Sequence, residues 1–137
     1  MALQPQTVWQ DLGKLILRLG VAILLLLHGI GKLQNGVGWM DGMLTAAHLP
    51  TFLAYGVYVG EIVAPILLIL GVFGRLAGLI VAFDLLMAIL LARRADIFTL
   101  NRAHGSSIEV ELFYIVAGLA IFLLGSGRFA VRKGAWD

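Results

Sequence analysis

The chain has 137 residues, 61% of them hydrophobic and only 13% charged, with a formal net charge of +2 and no cysteine. Its mean hydropathy is +0.98. A water-soluble domain of this size would need more polar surface, and the apolar residues come in long blocks rather than at amphipathic spacing. The chain therefore reads as one integral membrane domain over residues 1–137. Without cysteine it forms no disulfide, no thiolate metal site and no thioether to haem. The basic residues gather at segment ends, which suits membrane lipids with anionic head groups rather than nucleic acid.

Four apolar segments predict an all-α fold, a four-helix transmembrane bundle with helices over about 12–33, 51–70, 75–93 and 107–124. Each is near the ~20 residues that cross a hydrocarbon core. The first carries Arg18, close enough to its start for the side chain to snorkel to the interface. It also follows Lys14 as a signal peptide would, but His28-Gly29-Ile30-Gly31-Lys32 offers no small-residue cleavage site, so we read a retained helix. Gly29 to Pro50 holds five glycines and Trp39 and is too apolar for a solvated loop. It predicts a short interfacial or re-entrant segment between the first and second helices.

Helix ends are marked as well. Pro50 opens the second helix, and Gly71-Val72-Phe73-Gly74 closes a tight hairpin into the third. Ser106 and Glu109 have capping-box spacing at the start of the fourth, which Gly125-Ser126-Gly127 ends. Gly56, Gly60 and Ala64 form a small-residue row on the second helix, and Gly74, Gly78 and Ala82 form another on the third. We expect these rows to close the hairpin face to face; Gly56 and Gly60 equally offer a face for a homo-oligomer. Lys14, Arg18, Arg75, Arg128, Arg132 and Lys133 fall on one side against Lys32, Arg93, Arg94 and Arg102 on the other, which favours both termini in the cytoplasm.

The candidate site starts from Glu61, the one charged residue in Thr51–Leu70. An acid within a span is a functional hypothesis by default, here as a proton relay. Pro65, four residues on, has no N–H for the Glu61 carbonyl and crowds it, so a carboxylate and a freed backbone acceptor coincide. Asp84 lies as far beyond the 71–74 turn as Glu61 lies before it, hence at about the same depth. If the two face each other, both cannot readily stay ionised; otherwise Asp84 pairs with a cation or a backbone group. His28 and Lys32 share a helical face, and Glu111 begins the fourth helix on the same side, so a polar pocket of His28, Lys32, Glu61, Asp84 and Glu111 is expected at the outer mouth. His48 and His104 read as ordinary interfacial histidines. No pair of histidines or of histidine and glutamate has metal-ligand spacing, so no metal is expected.

The order Leu17-Arg18-Leu19, His28-Gly29-Ile30-Gly31-Lys32-Leu33, Gly60-Glu61, Leu67 to Arg75, Glu111 and Gly125-Ser126-Gly127-Arg128 resembles the DoxX family of small bacterial membrane proteins. The resemblance spans nearly the whole chain and matches at His28, Lys32, Glu61, Arg75, Glu111 and Arg128. It implies a four-helix bundle in the bacterial inner membrane, structural roles for Arg75 and Arg128, and a link to oxidoreductase systems in which a DoxX-type subunit meets quinone. This sequence departs from the pattern at Ser126, where proline is frequent, and over Phe129-Ala130-Val131, where Ser-Leu-Asp is common. With no cysteine or cofactor motif of its own, an oxidoreductase role means binding a quinone or small anion non-covalently and moving protons, while electrons travel through the quinone itself or a partner redox subunit. A small-solute or proton-coupled carrier, and a non-catalytic assembly partner of a larger complex, are the alternatives.

Overall fold

The computed structural model describes residues 8–100 and 105–131. His104, Arg102, Arg132 and Lys133, named above, lie outside the described residues. Helix α1 runs Val8–Asn35, beyond both ends of the predicted segment, and at 1.5 Å per residue it is about 42 Å long, more than a hydrocarbon core requires. Its buried residues, Asp11, Lys14, Arg18, Val21, Ala22, Leu25 and Gly29, recur every three or four positions and define one inward face. A 3-10 turn, Gly38–Met40, and a short helix α2, Asp41–Ala46, follow. Val37, Met40 and Leu44 are buried here with Ala54, packed against Val57, Tyr58 and Leu91. The glycine-rich connection is thus folded onto its neighbours by its own apolar side chains.

Helix α3, Thr51–Leu70, is composite. It opens with the 3-10 turn Thr51–Tyr55, passes through the π-helical turn Val59–Val63 and ends as regular α-helix, Ala64–Leu70. Gly71 takes the left-handed conformation, φ 78°, while the Val72 N–H returns to the Leu67 carbonyl at 3.0 Å. That closure needs a residue free of the Cβ penalty. Helix α4 is Gly74–Ala92 and α5 is Glu109–Leu124. Among the described residues three helices, α1, α3 and α4, are long and apolar enough to cross a membrane; α5, with 16 residues, is shorter.

One core cluster draws on four helices: Val21, Ala22 and Leu25 of α1, Ala64 and Leu68 of α3, Ala77, Val81 and Leu85 of α4, and Tyr114, Ala117 and Ile121 of α5. The small-residue rows do not meet as expected. A Cβ on Gly78 would lie 2.6 Å from the Gly118 carbonyl oxygen, and one on Gly118 would lie 2.6 Å from the Gly78 carbonyl oxygen, so the α4 row closes on α5. Gly60 alone turns its bare face to α4, and Gly56 is exposed. Gly60 is buried inside the chain.

Polar contacts tie the ends, and two expectations change. Arg18 does not snorkel: it is 1% exposed and donates to the Leu68 carbonyl at 3.0 Å, the Ser126 carbonyl at 2.6 Å and the Phe129 carbonyl at 2.9 Å. Its guanidinium satisfies carbonyls that the end of α3 and the turning tail leave without helical partners. Arg128 pairs with Asp11 at 2.7 Å, and Arg75 donates to the Phe122 and Leu123 carbonyls at the end of α5, 2.9 Å each. At the other end of α5 the capping box does not form as expected. Ile108 is the N-cap, without a side-chain cap, and the Ser106 hydroxyl accepts from the Ile108 N–H at 3.3 Å. Ser106 is held back by its bridge to Leu100, which shifts the helix start to Glu109.

Candidate functional site

The α3 irregularity is where the candidate residues converge. Pro65 denies Glu61 its α-helical partner, and across Val59–Val63 the ladder widens so that Ala64 N–H bonds to the Val59 carbonyl, five residues back. The released Glu61 carbonyl faces α1 at Gly29, where an added Cβ would collide with it and would lie 2.7 Å from Ile62 Cγ1. Glycine at 29 is therefore required for α1 to approach this turn. On the α4 side, a Cβ on Gly60 would come within 2.5 Å of the Asp84 Cβ and Cγ. Two bare positions on two helices bring α1, α3 and α4 together at one point.

That approach lets Lys32 reach Glu61. The Lys32 ammonium donates to both carboxylate oxygens, 2.8 Å to Oε1 and 2.7 Å to Oε2. Glu61 is 4% exposed, whereas the Lys32 side chain keeps 28%, so the pair opens on the lysine side. The Tyr58 hydroxyl donates to the Lys32 carbonyl at 3.2 Å and steadies the last turn of α1. Asp84 lies beside the pair, its carboxyl in side-chain hydrogen-bonding contact with Glu61 and within reach of the Lys32 charge, while its Oδ2 is buried with no hydrogen-bond partner.

All three residues line one cavity of about 690 Å³, walled by the end of α1, by the stretch from Trp39 to Leu49 that includes α2, and by α3 and α4. Apart from Lys32, Glu61 and Asp84 its walls are apolar, with Trp39, Met40, Met43, Phe83 and Met87 among them. Methionines give such a surface a soft, adaptable shape. An apolar cavity with a few convergent polar groups at one place suits an amphiphile, its tail along the walls and its head at the charges.

The structure gathers Lys32, Glu61 and Asp84 but not the whole expected set. His28 is exposed and stands edge-on to Tyr114 of α5, ring centroids 6.3 Å apart, outside the cavity lining. Glu111 is engaged by Arg93 at 3.1 Å, and Arg93 also holds Asp96 at 3.3 Å and the Ser107 carbonyl at 2.6 Å. These contacts close the connection after α4 and take Glu111 out of the site. Glu109 and His48 are exposed, and His48 has φ 60° in the turn before α3. Among the described residues no three histidine, cysteine or acidic side chains are grouped to hold a metal ion. Sequence reasoning missed Gly29 and Tyr58, and the methionine walls; only Gly29, lying between His28 and Lys32, carried a local hint.

The family profile described as DoxX matches residues 13–94, a stretch that includes Lys32, Glu61, Pro65 and Asp84. A protein of Bacillus subtilis (strain 168) named "Putative oxidoreductase CatD" is 26% identical over 121 residues, covering 88% of this chain and 85% of that protein. No solved structure matches the chain.

Proposed function

The chain belongs to the DoxX family, and from that premise we propose that it is the membrane subunit of a quinone-linked oxidoreductase, taking a quinone-type amphiphile into the cavity between α1, α3 and α4. The observation that carries this reading is the Lys32–Glu61 pair, with Asp84 beside it, in an otherwise apolar cavity of about 690 Å³. That volume lies in the range of small-molecule sites, ~300–1,000 Å³. The similarity to a protein named as an oxidoreductase supports it. The bound quinone supplies the redox chemistry. Lys32 hydrogen-bonds an oxygen of the head, Glu61 holds Lys32 in place and carries a proton, and Asp84 passes that proton on. Electrons enter or leave through the quinone itself or through a partner redox subunit.

In this reading α5 is a fourth crossing of the bacterial inner membrane, the Gly38–Ala46 stretch lies at the outer interface, and both termini are cytoplasmic, following the distribution of basic residues. A proton-coupled carrier draws support from one feature, the π turn that interrupts α3 beside two acids; Glu61-dependent uptake by proteoliposomes would select it.

The test uses Trp39, which lines the cavity, as the reporter. In a Trp9→Phe, Trp136→Phe background in lipid nanodiscs, a decyl-tailed quinone or its reduced form is expected to quench Trp39 saturably. Lys32→Met is expected to weaken binding about tenfold, the loss of one charge-assisted hydrogen bond. Quenching that does not saturate with either form, or that is indifferent to Lys32, refutes the proposal.

A further inference from the structure

We propose that the cavity selects a head group bearing a hydrogen-bond donor, and so takes the hydroxyl-bearing, reduced form of its ligand, a hydroquinone or phenol, in preference to the quinone. The inference rests on the reading that an amphiphile occupies this cavity. It follows from the hydrogen-bonding inventory of the three polar residues. Both Glu61 oxygens accept from Lys32, and an ammonium has three N–H donors, so at least one remains for a ligand. Asp84 lines the same cavity with Oδ2 buried and unpartnered. Asp84 meets the Glu61 carboxyl through a side-chain hydrogen bond, so the two acids share a proton and Oδ2, which has no part in that bond, is left as an acceptor; a turn about the soft χ2 torsion presents it to the cavity in exchange for the Glu61 contact. The site therefore offers one donor, on Lys32, and one acceptor, on Asp84.

A quinone head carries acceptors alone. Its carbonyl satisfies Lys32 and sets oxygen against oxygen at Asp84, which then stays desolvated and unpaired. A hydroxyl meets both needs, accepting from Lys32 through its oxygen while donating its hydrogen to Asp84. Sites that leave a buried polar group unpaired against the wrong ligand discriminate strongly, by 10⁴-fold or more when fully enclosed. Lys32 keeps 28% exposure, so this site is open on one side and the discrimination is smaller.

The experiment compares three decyl-tailed ligands in nanodiscs under anaerobic conditions: a hydroquinone, its dimethyl ether, which keeps the oxygens and loses the donors, and the matching quinone. The wild-type chain is expected to bind the hydroquinone at least about tenfold tighter than either of the others. Asp84→Ala is expected to bring all three within about threefold, chiefly by weakening the hydroquinone. Asp84→Asn, which keeps the size of the side chain and adds an amide donor, is expected to raise quinone affinity towards that of the hydroquinone. Equal wild-type affinities, a quinone preference, or a hydroquinone preference that survives in both variants overturns the inference and leaves the cavity reading intact. Failure of all three ligands to bind overturns the cavity reading itself.

Discussion

Removing Lys32 should destabilise the fold more than removing Glu61, although the two form one ion pair. At 2.7 Å and an effective dielectric constant near 20, the gross attraction is about 6 kcal/mol. Desolvation of Glu61, 4% exposed, cancels part of it, and the 28% exposure of Lys32 screens more. A net coupling of about 2–3 kcal/mol remains, below the ~3–5 kcal/mol of fully buried pairs. Asp84 makes the effect lopsided. Lys32→Met leaves Glu61 without its cation and next to a second acid, and should cost about 3 kcal/mol. Glu61→Gln leaves Lys32 with Asp84 within electrostatic reach and an amide oxygen to bond, and should cost about 1 kcal/mol. The double variant should cost little more than Glu61→Gln. Unfolding in mixed micelles titrated with dodecyl sulfate, followed by circular dichroism, gives all three values. Additivity within about 0.5 kcal/mol, or a larger loss for Glu61→Gln than for Lys32→Met, refutes the three-body arrangement.

Arg18→Met removes the donors that three carbonyls share and should cost at least about 3 kcal/mol in the same assay, with Arg18→Lys rescuing only part because an ammonium lacks the planar fork. Gly29→Ala drives a methyl group into the Glu61 backbone and should cost about 1–3 kcal/mol while weakening quenching of Trp39; unchanged binding would mean that α1 and α3 need not approach so closely. Arg93→Ala breaks the Asp96 and Glu111 pairs, which are partly exposed and outside the cavity. It should cost about 1 kcal/mol or less and leave ligand binding unaltered. Because the chain has no cysteine, single cysteines at the exposed positions 45, 100 and 131 report topology cleanly: Thr45 and Leu100 variants should label from outside the cell and the Val131 variant only after permeabilisation. A Val131 variant that labels from outside together with the other two removes the fourth crossing.

The acid and the proline were legible because a single charged residue in an apolar run stands out, and because the missing proline N–H acts four residues back whatever the tertiary setting. The common level of Glu61 and Asp84 was legible from residue counting across a tight hairpin. Rotation about each helix was not. His28 and Lys32 do share a helical face, yet α1 lies against both α3 and α5, so that His28 meets Tyr114 while Lys32, one turn on, meets Glu61. Glu111 and Arg93 sit on different helices, and nothing in either segment signals their pairing. The small-residue rows were visible, but a row of glycines does not name its partner; Gly118 of α5 met the α4 row. Arg18 was hardest, because its partners are backbone carbonyls 50 and more than 100 residues away, and carbonyls leave no mark in a sequence.

Adjacent residues 60 and 61 both serve the site from one helix because α3 is flanked on two sides. In a regular α-helix neighbouring side chains diverge by about 100°, so a helix that points an acid at one partner points its neighbour elsewhere. Here the divergence is used: Gly60 presents bare backbone to Asp84 on α4 and Glu61 directs its carboxylate to Lys32 on α1. Keeping both faces inward requires α1 and α4 to flank α3 closely, which Gly29 and Gly60 permit. The widened turn then absorbs the register change before Pro65 and Leu68 resume the buried face. The backbone defect, the two glycines and the three ionisable side chains therefore form one unit. Pro65 disfavours regular helical pairing at the turn, the turn aims Glu61, and Glu61 fixes the ammonium that borders the cavity.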